Sequence, residues 1–550
     1  MSNGNLPNQV GYTFIVDSFE DVVDPNDGVT TLREVINAAN SLTGEDTVTF
    51  NVISGSEIKL SEQLNISDDL IINGPGAGNL TISGDGTFNN LSIDNANVVI
   101  NGLTIANGRD GIDVGSNSTV TVTNSAFVNN TDDGLQISGD GNTVTVSATT
   151  FTNNNGDGID VNGANQTITL SGVGLNGNSN NGVEIDATNS VLTVSNSSFV
   201  GNGNDGISFD EGGSNIVTIN NSSLSNNVGD AIDVVSNNNT VSLSGVGVNN
   251  NAEDGIEIDG NFNSITASNS SFLNNAGDGV DFNGQNNSVN LSSVGISGNT
   301  EDGIEISPGA DNSTLIVNNS SLSNNVGDAI DVVSNNNTVS LSGVGVNNNA
   351  EDGIEIDGNF NSITASNSSF LNNAGDGVDF NGQNNSVNLS GVGISGNTED
   401  GIEISPGADN STLVVSNSSL TNNIGDGLDI FSDYNNVSLY GVHVNANGFD
   451  GVAVNGNFNS VIASNSVFTN NVGEGFDVNR NNNIVNLLAI TSSNNGLDGL
   501  EIDGNDNFLT VIGSTFSNNG GEPIVDRGIN NTLNLSGNTI SGLESQPIVI

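Results

Sequence analysis

Asn349-Ala350-Glu351-Asp352-Gly353-Ile354-Glu355-Ile356 sets a pattern that the rest of the chain repeats. Its leading Asn recurs eighteen times, from Asn107 to Asn519, at steps of 24 residues broken by one of 23, one of 25 and two of 26. Four positions after each Asn comes Gly, replaced only by Ala231, Ala329 and Pro523, and then an aliphatic residue or Phe476. A fixed period of this length marks a repeat architecture, in which each unit buries its apolar face against its neighbours.

Inside a unit the alternation has period two. After Gly255, Ile256 and Ile258 flank Glu257, and the turn Asp259-Gly260-Asn261 leads to a strand with Ile265 and Ala267 on one side. A third run carries Phe272 before Asn274-Asn275-Ala276. Three short strands joined by Asn/Gly turns describe one coil. The predicted fold is all-β: a parallel β-helix (β-solenoid) of about twenty coils, ~4.8 Å apart and roughly 100 Å long. Ile256, Ile258, Ile265, Ala267 and Phe272, with their counterparts in other coils, form the expected core. The Asn column is expected to point inward as stacked amides, each bond contributing about 1 kcal/mol.

The 550 residues carry 5 basic and 63 acidic side chains, a formal charge of -58, although only 12% are charged. Acidity therefore comes from the scarcity of Lys and Arg. Such a field repels nucleic acid and anionic membrane and favours cations or basic partners. One His and no Cys leave little room for imidazole chemistry and none for thiols or disulfides, which suits an exported protein. No apolar run reaches the roughly 18 residues of a transmembrane segment. Met1 to Gly11 lacks the basic and apolar regions of a signal peptide. The expected location is extracellular or on the cell surface.

Residues 1–65 are expected to form an N-terminal capping region and residues 66–550 the solenoid. Thr13 to Val16 reads as a strand. Leu32 to Asn40 reads as a helix, N-capped by Thr31 with Glu34 completing a capping box, and with Leu32, Val35, Ile36 and Ala39 as its apolar face. It would cover the open end of the coils.

Thr31-Leu32-Arg33-Glu34-Val35-Ile36-Asn37-Ala38-Ala39-Asn40, followed by Asp46-Thr47-Val48-Thr49-Phe50, resembles the CSLREA domain of bacterial surface proteins. Ile71-Ile72-Asn73-Gly74-Pro75-Gly76-Ala77 and Val98 to Ile105 extend the likeness, while Thr30-Thr31 stands where that family has Cys-Ser. From Asn107 to about Leu543 the chain is similar to right-handed parallel β-helix repeats, whose Asn-Asn-x-Gly-Asp-Gly-Ile consensus appears at Asn153 to Ile159. That fold serves lyases, hydrolases, adhesins and fibres alike.

Residues 220–317 and 318–415 match except at Ser293/Gly391 and Ile316/Val414. Faithful duplication adds length and repeated surface but no unique cleft. The main expectation is thus a secreted or cell-surface structural protein (filament, sheath, surface layer or adhesin stalk), and not an enzyme. The alternative is a polysaccharide-active lyase or glycoside hydrolase.

Two acidic columns carry the candidate metal ligands. The residue before the Gly is acidic in seventeen of eighteen coils, Asn181 being the exception, and the residue between the two aliphatics in fourteen. The second column should point outward by strand alternation. Stacked carboxylates would repel by roughly 0.9 kcal/mol per neighbour in water. Two readings offset this: Ca²⁺ bridging, or plain solvation at high salt. The Ca²⁺ reading takes Asp254, Glu257, Asp278, Asp281, Asp302, Glu305, Asp352, Glu355, Asp376, Asp379, Asp400 and Glu403 as ligands.

Irregular coils run from Gly427 to Gly475. Tyr440 and His443 there replace Ser342 and Gly345 of an equivalent coil, and Tyr434 is a further aromatic residue. With Asp429, Asp433, Asp477 and Arg480 they are the candidate lining of a saccharide groove. Arg480 and Arg109 are the basic candidates for a lyase. Finally, Gln546 to Ile550 lacks a covering helix, and head-to-tail self-association through the N-terminal segment is expected.

Overall fold

In the coil that begins at Asn349 the strands are Glu355–Ile356, Ser362–Ser366 and Ser369–Leu371. Each runs parallel to its counterpart in the next coil: Glu355 beside Asp379, Ile363 beside Val387, and Phe370 beside Ile394. Three parallel sheets result, one from each strand type. The sheet made of strands such as Glu355–Ile356 carries the acidic residues and is called the acidic sheet below. The computed structural model describes residues 11–541. The chain forms two compact units, Met1–Thr266 and Ala267–Ile550. The same coil builds the first unit, where Thr119–Thr123, Ala126–Val128 and Leu135–Ile137 pair in parallel with Thr143–Ser147, Thr150–Thr152 and Ile159–Val161.

Period-two alternation explains the interior. Ile256, Ile258 and Ile265 are fully buried in the first unit, as are Ile354, Ile356, Ile363 and Phe370 in the second. Each such side chain contributes about 1.5–3 kcal/mol. Like residues stack along each column; the rings of Phe127 and Phe151 lie 4.6 Å apart at 10°.

The Asn-Asn pairs that close each coil divide two tasks. The first member, such as Asn348 (φ 59) or Asn372 (φ 57), takes the left-handed conformation that turns the chain. The second points inward. Asn130 Nδ2 donates to Asn154 Oδ1 at 2.9 Å, and Asn154 to Asn178 at 2.9 Å. In the second unit Asn325 donates to Asn349 at 3.0 Å and Asn349 to Asn373 at 3.0 Å. Asn107, the first member expected, does not belong to the ladder. Ala106 pairs with Val128, so Asn107 matches Asn129 and takes the left-handed turn position (φ 55). Gly108 fills the inward position and donates its N–H to Asn130 Oδ1 at 3.0 Å. Matching positions here lie 22 residues apart, and the step to Asn130 is 23 because Asn107 stands one place before the inward position.

The helix spans Leu32–Ala39, with Thr31 as N-cap and the capping box to Glu34 formed. Leu32, Val35, Ile36 and Ala39 are buried. Arg33 is buried too, gripping both Asp21 oxygens (2.8 and 2.7 Å) and the carbonyls of Glu62 and Gln63. Coil pairing begins ahead of the expected boundary at residue 65: Thr13–Val16 pairs with Asp46–Phe50, which pairs with Leu70–Asn73. Residues 546–550, on which the head-to-tail expectation rests, lie outside the described residues. Among the described residues no helix is long and apolar enough to cross a membrane.

Candidate active site

The first acidic column closes one coil on the next. In the second unit the backbone N–H groups of Asp328, Asp352, Asp376, Asp400, Asp426 and Asp450 each donate to the Oδ1 of the preceding Asp, starting from Asp302. In the first unit Asp157 N–H donates to Asp133 at 2.8 Å, and Asp230 N–H to Asp205 at 2.7 Å. Asn181, the odd member, takes the same place: its Oδ1 accepts from Asp205 N–H at 3.0 Å. These side chains are committed to backbone donors, which fixes their direction.

The second column does not stand out in water as strand alternation suggested. Asp281, Asp379, Asp429 and Asp477 are 6, 7, 3 and 7% exposed, while Glu257, Glu305, Glu355 and Glu403 are half-buried. Polar side chains of the following turn roof them over. Asn381 donates to Glu355 Oε1 at 2.7 Å, Ser405 to Asp379 Oδ1 at 3.0 Å, and Asn455 to both oxygens of Asp429 at 2.9 and 3.0 Å. Those donors lie one turn on from the acidic motif and were not among the residues singled out from the sequence.

Burial and neighbouring carboxylates push these carboxyls above the usual carboxylate range. Burial first, then the charges of Asp426 and Asp400, pushes Asp429 up to about 8. Burial likewise raises Asp379 to about 8, Asp302, Asp352 and Asp400 to about 7, Asp477 to about 7, and Asp426 to about 6. Asp376 is raised by burial and by the charges of Asp352 and Asp400, and Glu355 is raised mainly by burial.

Several buried acidic clusters can hold a cation. The carboxylates of Asp110, Asp132 and Asp133 come within 4.8 Å of one another, as do those of Asp230, Asp254 and Glu257. Buried carboxylate oxygens of Asp160, Asp233, Asp331 and Asp477 have no hydrogen-bond donor. All these donors are hard oxygens, which suits Ca²⁺ or Mg²⁺ and not a soft transition metal. Two arginines neutralise part of the acidic face. Arg109 lies 3.0 Å from Asp110, and Arg527, which sequence reasoning missed, lies 3.2 Å from Asp498 and also meets Glu501.

In the second unit a cleft of about 400 Å³ opens beside this face, lined by Asp400, Asp426, Asp429, Phe431 and Phe449 among others. Phe431 and Phe449 are 42 and 62% exposed. One repeat earlier, 98 positions back, their places are held by Val333 and Glu351. Comparing the blocks is thus the signal that finds both rings.

Of the seven residues expected around a saccharide groove, only Asp429 lines the cleft. Tyr440 ends the strand Asn436–Tyr440 and His443 begins His443–Asn445, so both sit on sheets other than the one that carries Asp429 in Leu428–Ile430. Asp477 is on the acidic sheet two coils on, separated from Asp429 by Ala453. Tyr434 lies in the turn after that sheet, its ring stacked on Phe458 at 5.0 Å and 4°. Arg480 is exposed, with Nε 3.3 Å from Asn455 O.

The expectation of a structural, non-enzymatic protein is corrected: the acidic clusters able to hold a cation give the chain enzymatic potential.

No curated protein matches the sequence. Among solved structures, the chain is similar to an alginate lyase from Paenibacillus sp. str. FPU-7, with 15% identity over 50% of this chain and 95% of that one and a TM-score of 0.33. It is also similar to a mutant of the PL6 family alginate lyase AlyGC, with 13% identity, 93% and 99% coverage and a TM-score of 0.37. The receptor binding domain of the Siphovirus 9NA tailspike matches at 12% identity, 74% and 73% coverage and a TM-score of 0.29. The family model of the right-handed β-helix region matches residues 79–246, 211–370 and 352–488. A match of that extent falls on the very coils that carry the ladder and the acidic columns, and the chain belongs to the right-handed β-helix family.

Proposed function

We propose that the protein is a polysaccharide-active enzyme that hydrolyses glycosidic bonds in the cleft at Asp400, Asp426, Asp429, Phe431 and Phe449. The observation that carries this reading is one cleft in which Asp426 and Asp429 stand beside Phe431 and Phe449, with burial raising Asp429 to about 8 and Asp426 to about 6. At neutral pH the first keeps a proton to give to a glycosidic oxygen, and the second is ionised to serve as nucleophile or base. Phe431 and Phe449 offer apolar ring surface to sugar C–H groups.

A formal charge of -58 favours a neutral glycan, since a uronate polymer would be repelled. Hydrolysis fits better than β-elimination for the same reason, because elimination from a uronate calls for a cation at the sugar carboxylate. Where a cation does take part, Ca²⁺ on the acidic face would supply that charge. The resemblance of the N-terminal segment to the CSLREA domain of surface proteins supports an extracellular or cell-surface setting. The test is reducing-sugar release from neutral and acidic polysaccharides by the wild type and by Asp429→Asn. No release from any neutral glycan, or full activity in the variant, ends this reading.

A further inference from the structure

Residues 416–465 repeat 318–367 with substitutions, and several of these bring in aromatic rings. Phe431, Tyr434, Tyr440 and Phe449 stand where the earlier copy has Val333, Asn336, Ser342 and Glu351. Phe431 and Phe449 line the cleft. Tyr434 lies in the turn that follows, three residues past Phe431.

Tyr434 (φ 61) and Phe458 (φ 58) hold the same turn position in successive coils, both in the left-handed conformation. Tyr434 N–H donates to Asn457 O at 3.1 Å and Phe458 N–H to Asn481 O at 3.2 Å, which fixes the register. Their rings stack at 5.0 Å and 4°. On either side the same position is Asn410 (φ 60) and Asn482 (φ 60), whose short side chains leave the rings 52 and 47% exposed. Asn enters this conformation readily, whereas a bulky ring does so under strain. With half of each ring in water, burial returns little for that strain. Two strained, coplanar and exposed rings in adjacent coils are therefore the mark of a surface kept for a ligand.

Charge narrows the ligand. Arg480, the only basic residue between Arg109 and Arg527, is exposed and reaches back to Asn455 O at 3.3 Å, where the turn that carries Phe458 begins. A cationic ligand would be repelled by that guanidinium, and an anionic one by the formal charge of -58. A neutral ligand with a flat apolar face and a polar rim remains, which describes a pyranose. Its C–H groups can lie on the rings while its hydroxyls meet the Tyr434 hydroxyl and the Arg480 donors.

We propose that Tyr434 and Phe458, with Arg480 at their edge, form a platform that binds pyranose rings of a neutral polysaccharide outside the cleft. It is a second contact for the glycan class of the hydrolase reading, and it is read without turnover.

The experiment is affinity electrophoresis of the full chain through gels containing hydroxyethyl cellulose, galactomannan or dextran, with alginate and polygalacturonate as anionic arms. At least one neutral polymer retards the protein, and the anionic ones do not. Tyr434→Asn and Phe458→Asn, which install the residue already present at Asn410 and Asn482, each weaken that binding by about tenfold or more, while Tyr434→Phe keeps it within about threefold. Phe360→Asn, which removes the ring of an earlier coil, leaves it unchanged. Circular dichroism checks the fold. Retardation by no neutral polymer, retardation by the anionic ones alone, or undiminished binding in Tyr434→Asn overturns the proposal. Reducing-sugar release is scored separately: a chain that binds through Tyr434 yet releases no sugar ends the hydrolase reading and leaves the platform standing.

Discussion

Asn349 Nδ2 donates to Asn373 Oδ1 at 3.0 Å, and the same oxygen takes the backbone N–H of Asn349 at 3.1 Å. One amide oxygen thus satisfies two buried donors of the preceding coil. Asn373→Ala leaves the Asn349 backbone N–H without a partner, at about 1–3 kcal/mol, and leaves Nδ2 only the long contact to Leu322 O at 3.5 Å. Coils couple chiefly to nearest neighbours, so the loss should appear first as faster hydrogen exchange at Asn349 and adjacent amides. The thermal midpoint falls while the β spectrum persists. Unchanged exchange at Asn349 would show that the ladder is ornamental.

Buried carboxyls set the pH dependence. Asp133, Asp331, Asp379 and Asp429 are each pushed up to about 8, chiefly by burial. In the unfolded chain such groups titrate near 4. The folded state therefore binds more protons between about pH 4 and 8, and its stability is greatest below that window and falls as pH rises through it. Melting temperature measured in chelator should decline from about pH 5 to about pH 8.5, and added divalent cation should flatten the slope. A rise over that range contradicts the assignment.

The cleft predicts a bell-shaped rate profile. Asp429 must keep its proton and Asp426 must lose its own, so kcat/KM should fall below about 6 and above about 8. Asp429→Asn should cost about 10²–10⁴-fold in kcat and remove the alkaline limb. Phe431→Ala should raise KM with little change in kcat, since the ring binds ground and transition states alike. A profile flat from pH 5 to 9 would dissociate these carboxyls from the chemistry.

Phe360 occupies a left-handed turn (φ 59) with its ring 60% exposed, where the neighbouring coils have Asn336 and Asn384. A bulky residue in that region is strained by about 1–3 kcal/mol. Phe360→Asn should therefore stabilise the second unit by about 1 kcal/mol. Phe458 sits in the same conformation (φ 58) but stacks on Tyr434, a contact of about 0.5–1.5 kcal/mol. There the lost stacking offsets the relieved strain, and Phe458→Asn should be close to neutral. Chemical denaturation of the two variants side by side separates strain from stacking.

The coil itself was legible in the sequence. Asn at every 24th position and the Ile-x-Ile alternation determine three parallel sheets, the buried faces of Ile354, Ile356 and Ile363, and the inward Asn ladder, because identical units stacked in register have one way to bury that pattern. The capping box at Thr31 and Glu34 was equally local. What the outer face became was decided only by the tertiary structure. Alternation says that Asp429 turns away from the core, but not that Asn455, one coil on, roofs it to 3% exposure. Nor does it say that Asp352 bends back to receive Asp376 N–H. Asp210 meets Glu184 and Asp186 because a two-glycine turn folds onto the coil before it, and Phe431 and Phe449 line one cleft because successive coils stack. Period and alternation fix each residue's phase within its own coil. Protonation, cation binding and the cleft depend on distances between coils, which the stacking of turns alone sets.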